Sequence, residues 1–494
     1  MTTASNAGVP VAVIGAGPVG LAAAAHLARR RLPYVVLESG PSVGAAVRSW
    51  AHIRTFTPWR WIVDAAAAEI LTAAGWAIPA TNIPPTGGEL VAHYLEPLAA
   101  ALAPHVQTGH RVVAISRDGL DKAKAIGRAD RPFVLRVRRD DGSTIDVRAR
   151  AVLDASGTWG QPNPLGAGLP AHGEEDAAAH LVGPLPDVLG WQRSRFAGRR
   201  TLVVGAGHSA ANTLLNLARL AQDEPGTSIV WAIRRPAPGK AYGGGEADQL
   251  SARGQLGTDL RALVESGAVE LVTGFTAGRV EVGEECVSVV STDGQRIEGV
   301  HNVAAATGFR PDLDLLRELQ LDLHPGLEAP RALAPLIDPA YHSCGTVPPH
   351  GHRDLAHPEP GFYVVGMKSY GRAPTFLITT GNEQVRSVVA AIAGDLEAAD
   401  AVHLELPETG VCSVNDRGED TAGTGDGCCG STPALDELTV PPGAHRARPV
   451  GLAAQGFSTG LAAQGFSTGV AGGGQVAELV REAAAPTRGG CCTG

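Results

Sequence analysis

Short β-branched runs alternate with alanine- or leucine-rich stretches along this chain. Val11-Ala12-Val13-Ile14 is unbroken and apolar, and an alanine-rich segment through Val19–Ala28 follows it. Thr201–Val204 repeats the pattern and leads into a leucine-rich segment after His208. Unbroken runs of this length predict strands buried on both faces, and the stretches after them predict helices. Tyr34–Leu37 and Ile229–Ile233 supply a second strand to each unit. Strand, helix, strand, occurring twice, predicts an α/β fold with two Rossmann-like halves.

Each half carries a hairpin signal further along, an Asp-Gly turn between alternating runs. The first hairpin runs from Phe133 to Arg138, turns at Asp140-Asp141-Gly142 and continues from Ile145 to Leu153, ending in Asp154–Gly157. The second runs from Val287 to Ser291, turns at Asp293-Gly294 and continues from Arg296 to Ala306, ending in Thr307-Gly308. These small-residue ends return the chain toward the glycine turn of each unit. Residues 361–394 predict a strand in GFYVVGM, a loop in KSYGRAPTF and a helix from Gly381 to Ala393. From residue 407 onward turn formers dominate and apolar content falls, which predicts a mobile tail. In that tail GLAAQGFST occurs twice in tandem, at 451–459 and 460–468, too few copies to build a repeat core.

The turn after each leading strand is where chemistry enters. VAVIGAGPVG places Gly15, Gly17 and Gly20 at the spacing of a dinucleotide fingerprint. Gly15 permits the tight turn, Gly17 lets backbone N–H groups approach a pyrophosphate, and Gly20 lets the helix pack close. The helix N-terminus then stabilises phosphate charge. The second strand of this unit ends at Glu38, which suits the two hydroxyls of an adenosine ribose and repels a 2′-phosphate. The first site therefore suits FAD or NAD. TLVVGAGHSA places Gly205, Gly207 and Ala210 at the same positions, with His208 and Ser209 inside the turn. Its second strand ends in Arg234-Arg235, two guanidinium groups that can pair with a 2′-phosphate, so this site suits NADPH.

The chain has 494 residues, long enough for two or three domains. A net charge of −9 without a basic stripe argues against nucleic acid as a partner. MTTASNAGVP has no charged n-region and no apolar core, which predicts no secretory signal and a cytoplasmic protein. The longest apolar stretch, Val19–Ala28, is interrupted by His26, which reads as a packed helix histidine, and is too short to cross a bilayer. None of the seven cysteines precedes Cys286, which reads as a buried small hydrophobe. Cys344 lies in a loop, and Cys412, Cys428, Cys429, Cys491 and Cys492 lie in the tail. A reducing cytosol keeps them as thiols.

The paired fingerprints, Phe196-x-Gly198-Arg-Arg before the second one, Ala306-Thr-Gly-Phe309 and Glu383-Gln384-Val385-Arg386 together resemble the class B flavin-dependent monooxygenases. The resemblance spans residues 10–395. Within that group the chain looks most like the flavoprotein monooxygenases found with arsenic-resistance genes, on the Trp50–Trp61 loop and the cysteine tail. The resemblance implies a discontinuous FAD domain at 1–160 and 307–400, an NADPH domain at 161–306, and a low-complexity tail at 401–494. It implies that Thr307 and Gly308 lie at the cofactors, that the substrate is a small molecule met together with O2, and leaves a homodimer as an open possibility. Hydride would pass from NADPH to flavin N5. Reduced flavin would add O2 at C4a, and the hydroperoxide would oxygenate sulfur, nitrogen or trivalent arsenic. The flavin carries the hard step, so no acid–base dyad is required.

The chain also departs from that family. Its Phe-x-Gly-x-x-x-His motif is not recognisable between Gly157 and Phe196, where His172 and His180 lack the spacing. Trp50 matches a tryptophan near the flavin, but the glycine pair before it is broken. Met367 replaces the aspartate of thioredoxin-reductase-type enzymes, which favours oxygenation over disulfide reduction. Arg48, Trp50, Arg54, Trp59, Arg60 and Trp61 form a loop that can line the flavin and substrate pocket, or simply pack over the sheet edge. The rival class is a disulfide or metal reductase. It needs two cysteines beside the flavin, and neither nucleotide half has such a pair. Cys491-Cys492 resembles the substrate-capturing tail of mercuric reductase. Cys412 with Cys428 and Cys429 offers three soft sulfur ligands, the number trivalent arsenic takes. No Cys-x-x-Cys pair is present, so structural zinc is not expected. His342, Cys344, His350, His352 and His357 form a second cluster around Pro348-Pro349, read as a surface loop.

Overall fold

The protein is represented by a computed structural model that describes residues 8–79, 81–243, 250–342, 346–404 and 406. β1 (Val11–Ile14), β2 (Tyr34–Leu37), β3 (Val106–Gln107), β7 (Ala151–Asp154) and β16 (Phe362–Val364) form a parallel sheet in the order β16-β7-β1-β2-β3. Every residue of β1 and β7 is buried, as a strand covered on both faces requires. The period-two alternation of side chains divides the two faces. Val11 and Val13 face the helices Pro18–Arg29 and Ile378–Ile392, while Ala12 and Ile14 face Phe133, Leu135 and Val137. Alanines 22–25 are fully buried and let the first helix lie close to the sheet.

The second half repeats this plan. β8 (Leu181–Val182), β9 (Arg200–Val204), β10 (Ser228–Ala232), β11 (Glu270–Val272) and β15 (Asn302–Ala305) form a parallel sheet in the order β11-β10-β9-β15-β8. Val203 and Trp231 face the helix His208–Asp223; Leu202, Val204 and Val230 face the opposite layer with Val287, Val289 and Ile297. The expected α/β architecture with two Rossmann-like halves is thus present.

The layers opposite the helices contain both expected hairpins and add one strand to each. Each is a three-stranded antiparallel meander: β4 (His110–Arg117), β5 (Phe133–Arg139) and β6 (Thr144–Ala149), then β12 (Ala277–Val282), β13 (Val287–Ser291) and β14 (Arg296–Val300). The runs 145–153 and 296–306 are each two strands. They break at Arg150 and His301, whose N–H groups leave the meander and donate to Pro10 and Arg200. A polar residue at either place could equally face outward from a continuous strand, so periodicity alone does not mark the breaks. The predicted strand over 361–367 stops at Val364 because Gly366 has φ +69°, outside the extended region, and opens a 3-10 turn over Gly366–Tyr370. The helix predicted from Gly381 begins earlier, at Ile378. His26 is buried and meets the Asp64 carboxylate at 3.0 Å, and Cys286 is buried. Among the described residues no helix is long and apolar enough to cross a membrane.

Candidate active site

In open α/β sheets ligands bind at the carboxyl ends of the strands. Both glycine turns lie there. At Gly15, φ is +97° and an added Cβ would sit 2.8 Å from the Ala155 carbonyl oxygen. At Gly205, φ is +129° and an added Cβ would sit 2.1 Å from the Ala306 carbonyl oxygen. The leading glycine of each turn is therefore imposed by a left-handed backbone and by the crossover strand packed against it. Gly20 is tighter still, 2.0 Å from the Gly15 carbonyl oxygen, while Ala210 tolerates a methyl at the equivalent place and is buried in its core. Gly17 and Gly207 differ in kind: an added Cβ meets nothing within 4 Å. Both are helix N-caps without a side-chain cap, so the first-turn N–H groups stay available to an anion. The open faces at Gly17 and Gly207 thus fit two diphosphates.

The strand ends set the charge. Glu38 is 7% exposed, and its Oε2 and Oε1 each accept a backbone N–H, from Ala16 and Gly40, both at 2.7 Å. Each oxygen keeps a second lone pair, so the carboxylate still fits a pair of hydroxyls. Arg234 and Arg235 are exposed, and neither side chain has a partner among the described residues. Ser209 is half-buried inside the second turn.

The crossovers join the two halves. Asn163 N–H donates to the Gly308 carbonyl at 2.9 Å, Arg310 N–H donates to Gln161 at 3.0 Å, and the Thr307 hydroxyl donates to the Asn163 carbonyl at 2.6 Å. Trp159 stacks on Phe309 with centroids 4.9 Å apart. Thr307 and Gly308 therefore belong to a two-stranded ribbon between the halves. A second bridge is the edge contact of Phe56, from the first half, with His208 in the second turn, at 5.0 Å.

The arginine–tryptophan loop finds its partners inside the first half. Arg48 pairs with Glu96, Arg54 with Glu89, and Arg60 with Asn82 at 2.7 Å. Trp59 is 4% exposed and packs in the core, and Trp50 lies against Gly87. The Arg60 guanidinium lies 5.6 Å from the Trp61 ring. These contacts tie the loop to the helices Gly87–Leu90 and Glu96–Ala101 and to Asn82. The histidines of the later cluster are separately engaged. His350 contacts Gln384, His352 contacts Asp400, and His357 accepts from the Asp322 N–H. Burial pushes the His350 imidazole down, and it pushes His357 down to about 4, so both are neutral bases at pH 7. Among the described residues no group of three metal-ligating side chains exists. Cys344, Cys412, Cys428, Cys429, Cys491 and Cys492 lie outside the described residues.

Sequence reading passed over one buried cluster. Lys368 Nζ lies 2.6 Å from Asp154 Oδ2 with both side chains fully buried, and 3.1 Å from Ser156 Oγ. A lysine inside the apolar run FYVVGMKSYG is the signal that was available.

Two parallel sheets, each opening a glycine turn at its carboxyl edge and tied through paired crossovers, define an oxidoreductase of the two-dinucleotide class. The chain belongs to the pyridine nucleotide-disulphide oxidoreductase family, whose profile matches residues 12–329. It is accordingly an enzyme that works with a flavin and a pyridine nucleotide. Among solved structures it is similar to the bacillithiol disulfide reductase of Bacillus cereus, with 19% identity, 78% of this chain and 99% of that chain covered, and a TM-score of 0.57. The FAD-bound cadaverine monooxygenase of Erwinia amylovora gives 13% identity, coverage of 80% and 98%, and a TM-score of 0.53. The ornithine N-hydroxylase of Kutzneria sp. 744 gives 16%, coverage of 80% and 100%, and 0.51. At these identities the likeness is one of fold. No curated protein matches the sequence.

Proposed function

We propose that the protein is an NADPH-dependent FAD monooxygenase that oxygenates a soft nucleophile, with a trivalent arsenical as the candidate acceptor. The observation that carries the cofactor assignment is the opposite charge at two turns of one geometry: Glu38 closes the first and Arg234-Arg235 close the second. Gly15, Gly17, Gly20 and Glu38 hold FAD; Gly205, Gly207, Ser209, Ala210, Arg234 and Arg235 hold NADPH. The flavin, when bound, supplies hydride acceptance and oxygen activation. NADPH, a proton, O2 and the acceptor give NADP, water and the oxygenated acceptor. The protein's own part is to orient the two nucleotides across the crossover ribbon and exclude water. Two solved relatives in fold, the cadaverine monooxygenase and the ornithine hydroxylase, perform such oxygenation.

The purified protein should be yellow and consume O2 with NADPH, faster with arsenite, sulfides or amines. Removing the residues after 405 should weaken arsenical turnover and spare NADPH oxidation; unchanged arsenical turnover would exclude capture by the tail cysteines. A second reading, a thiol or metal reductase, draws support from the likeness to bacillithiol disulfide reductase. Against it, the sequence has no cysteine before Cys286, and Cys286 is 2% exposed on the second half. Rapid anaerobic NADPH oxidation by a disulfide or a thiophilic metal ion would establish that reading over oxygenation.

A further inference from the structure

The buried cluster at the end of β7 carries a directional argument. Asp154 is the last residue of β7, registered between Ile14 of β1 and Val364 of β16. Its Oδ2 accepts from Lys368 Nζ at 2.6 Å, and its Oδ1 lies 2.6 Å from Ser156 Oγ and 3.1 Å from Ser156 N. Lys368 Nζ also reaches Ser156 Oγ at 3.1 Å. An ammonium only donates and a carboxylate only accepts. The Ser156 hydroxyl must therefore give its proton to Asp154 and take one from Lys368. One lone pair remains. Ser156 is itself exposed, and its Cα lies 3.2 Å from the position a Cβ on Gly15 would take. A fixed acceptor, unable to donate, thus stands beside the first glycine turn.

Its ligand must bring an O–H or N–H, and a diphosphate oxygen is excluded because both would be acceptors. Strand order decides which part of a dinucleotide brings it. Glu38 follows β2 on one side of β1, and Ser156 follows β7 on the other. A dinucleotide with its adenosine ribose at Glu38 crosses the Gly15–Gly17 turn and continues toward β7. Resting on the assignment of FAD to the first half, we infer that Ser156, oriented by Asp154 and Lys368, is a positioning residue that accepts a hydroxyl of the flavin's ribityl chain.

The test is FAD binding to apoprotein, read by quenching of flavin fluorescence. Ser156→Ala should weaken FAD about tenfold, the effect of one hydrogen bond. It also removes the hydroxyl's bonds to buried Asp154 and Lys368, so the apoprotein's urea midpoint falls, and ADP binding is the control for the shape of the turn. ADP carries the adenosine ribose and diphosphate but no ribityl chain. As a competitor displacing FAD it should bind parent and variant alike. FAD analogues lacking single ribityl hydroxyls should include one that binds the parent as weakly as FAD binds Ser156→Ala, and gains nothing from the serine. Equal FAD affinity in parent and Ser156→Ala would overturn the inference alone. Equal weakening of FAD and ADP would assign the hydroxyl to the ribose and overturn it too. A parent apoprotein that takes up no FAD would overturn the assignment of the first half, and this inference with it.

Discussion

Behind the first glycine turn stands Ala155, behind the second Ala306, and in both a Cβ on the leading glycine would run into that alanine's carbonyl. The two halves thus share a backbone solution, including the meander on the far face of each sheet. They differ in what closes the site and in what ties the meander down. Glu38 is buried and hydrogen-bonded to its own turn, whereas Arg234 and Arg235 stand exposed. Beneath the first meander Glu359 joins Arg117 at 2.7 Å and Arg128 at 2.8 Å, all three buried. The second meander carries only exposed pairs among the described residues, such as Arg296 with Glu281 and Glu298. The shared part is what folding needs. The unshared part is where the proposed choice between the two nucleotides lies, and where one half's anchoring departs from the other's.

The largest effect should come from that anchoring. Glu359→Gln leaves two buried guanidinium groups without their carboxylate and should cost about 3–5 kcal/mol in urea unfolding. Burial alone would raise the Glu359 carboxyl. The Gln320 N–H and the Arg117 and Arg128 guanidiniums outweigh it and hold the carboxyl below the usual carboxylate range. A depressed folded-state value stabilises the fold above the unfolded carboxyl's range, and the stability is lost as pH falls through the folded value. The parent should therefore lose stability below about pH 4.3, the ordinary glutamate value, with a slope that Glu359→Gln flattens. Breaking the exposed Arg296–Glu281 pair should cost under about 1 kcal/mol. Equal costs in the two halves would dissolve the contrast.

Next come the glycines. Gly205→Ala adds left-handed strain to a backbone clash and should cost about 3 kcal/mol. Gly207→Ala, with φ −91° and open space, should leave the urea midpoint in place and raise the KM for NADPH. Loss of stability in Gly207→Ala would show that the open face is part of the fold.

Most of this arrangement was legible because the fingerprint couples backbone geometry to residue type. Gly15 and Gly205 could be assigned from spacing because their backbones admit only glycine, and Gly17 and Gly207 because a diphosphate would have to approach closely there. The β4 and β12 strands were not, because their alternation, as in HRVVAISR, is too weak to separate from loop. The breaks at Arg150 and His301 were hidden because a polar residue there can equally be an outward-facing position of a continuous strand. The lysine in FYVVGMKSYG was visible, but its pairing with Asp154 was not, because Asp154 ends β7 and Lys368 lies in the 3-10 turn after β16, far apart in sequence and brought together only by the sheet order.

The two strand ends can be tested directly. Replacing Arg234 and Arg235 by alanine should raise the KM for NADPH about tenfold to a hundredfold, since each removes a charge-assisted bond in a solvated setting. The KM for NADH should hardly move. An equal effect on both nucleotides would place the arginines at the diphosphate and remove the charge contrast between the halves.

The smallest effect separates structure from substrate at the loop over the first sheet. Arg48 pairs with Glu96 across partly exposed surface, 39% and 50%, and such a pair contributes up to about 1 kcal/mol. Arg48→Ala should therefore lower the urea midpoint slightly, and Glu96→Ala should do the same. If the pair is all that Arg48 does, both variants keep the parent's kcat and KM for the oxygen acceptor. If Arg48 also faces the acceptor, Arg48→Ala raises that KM and Glu96→Ala does not. The two substitutions remove the same ion pair from opposite ends, so any kinetic difference between them belongs to the guanidinium alone.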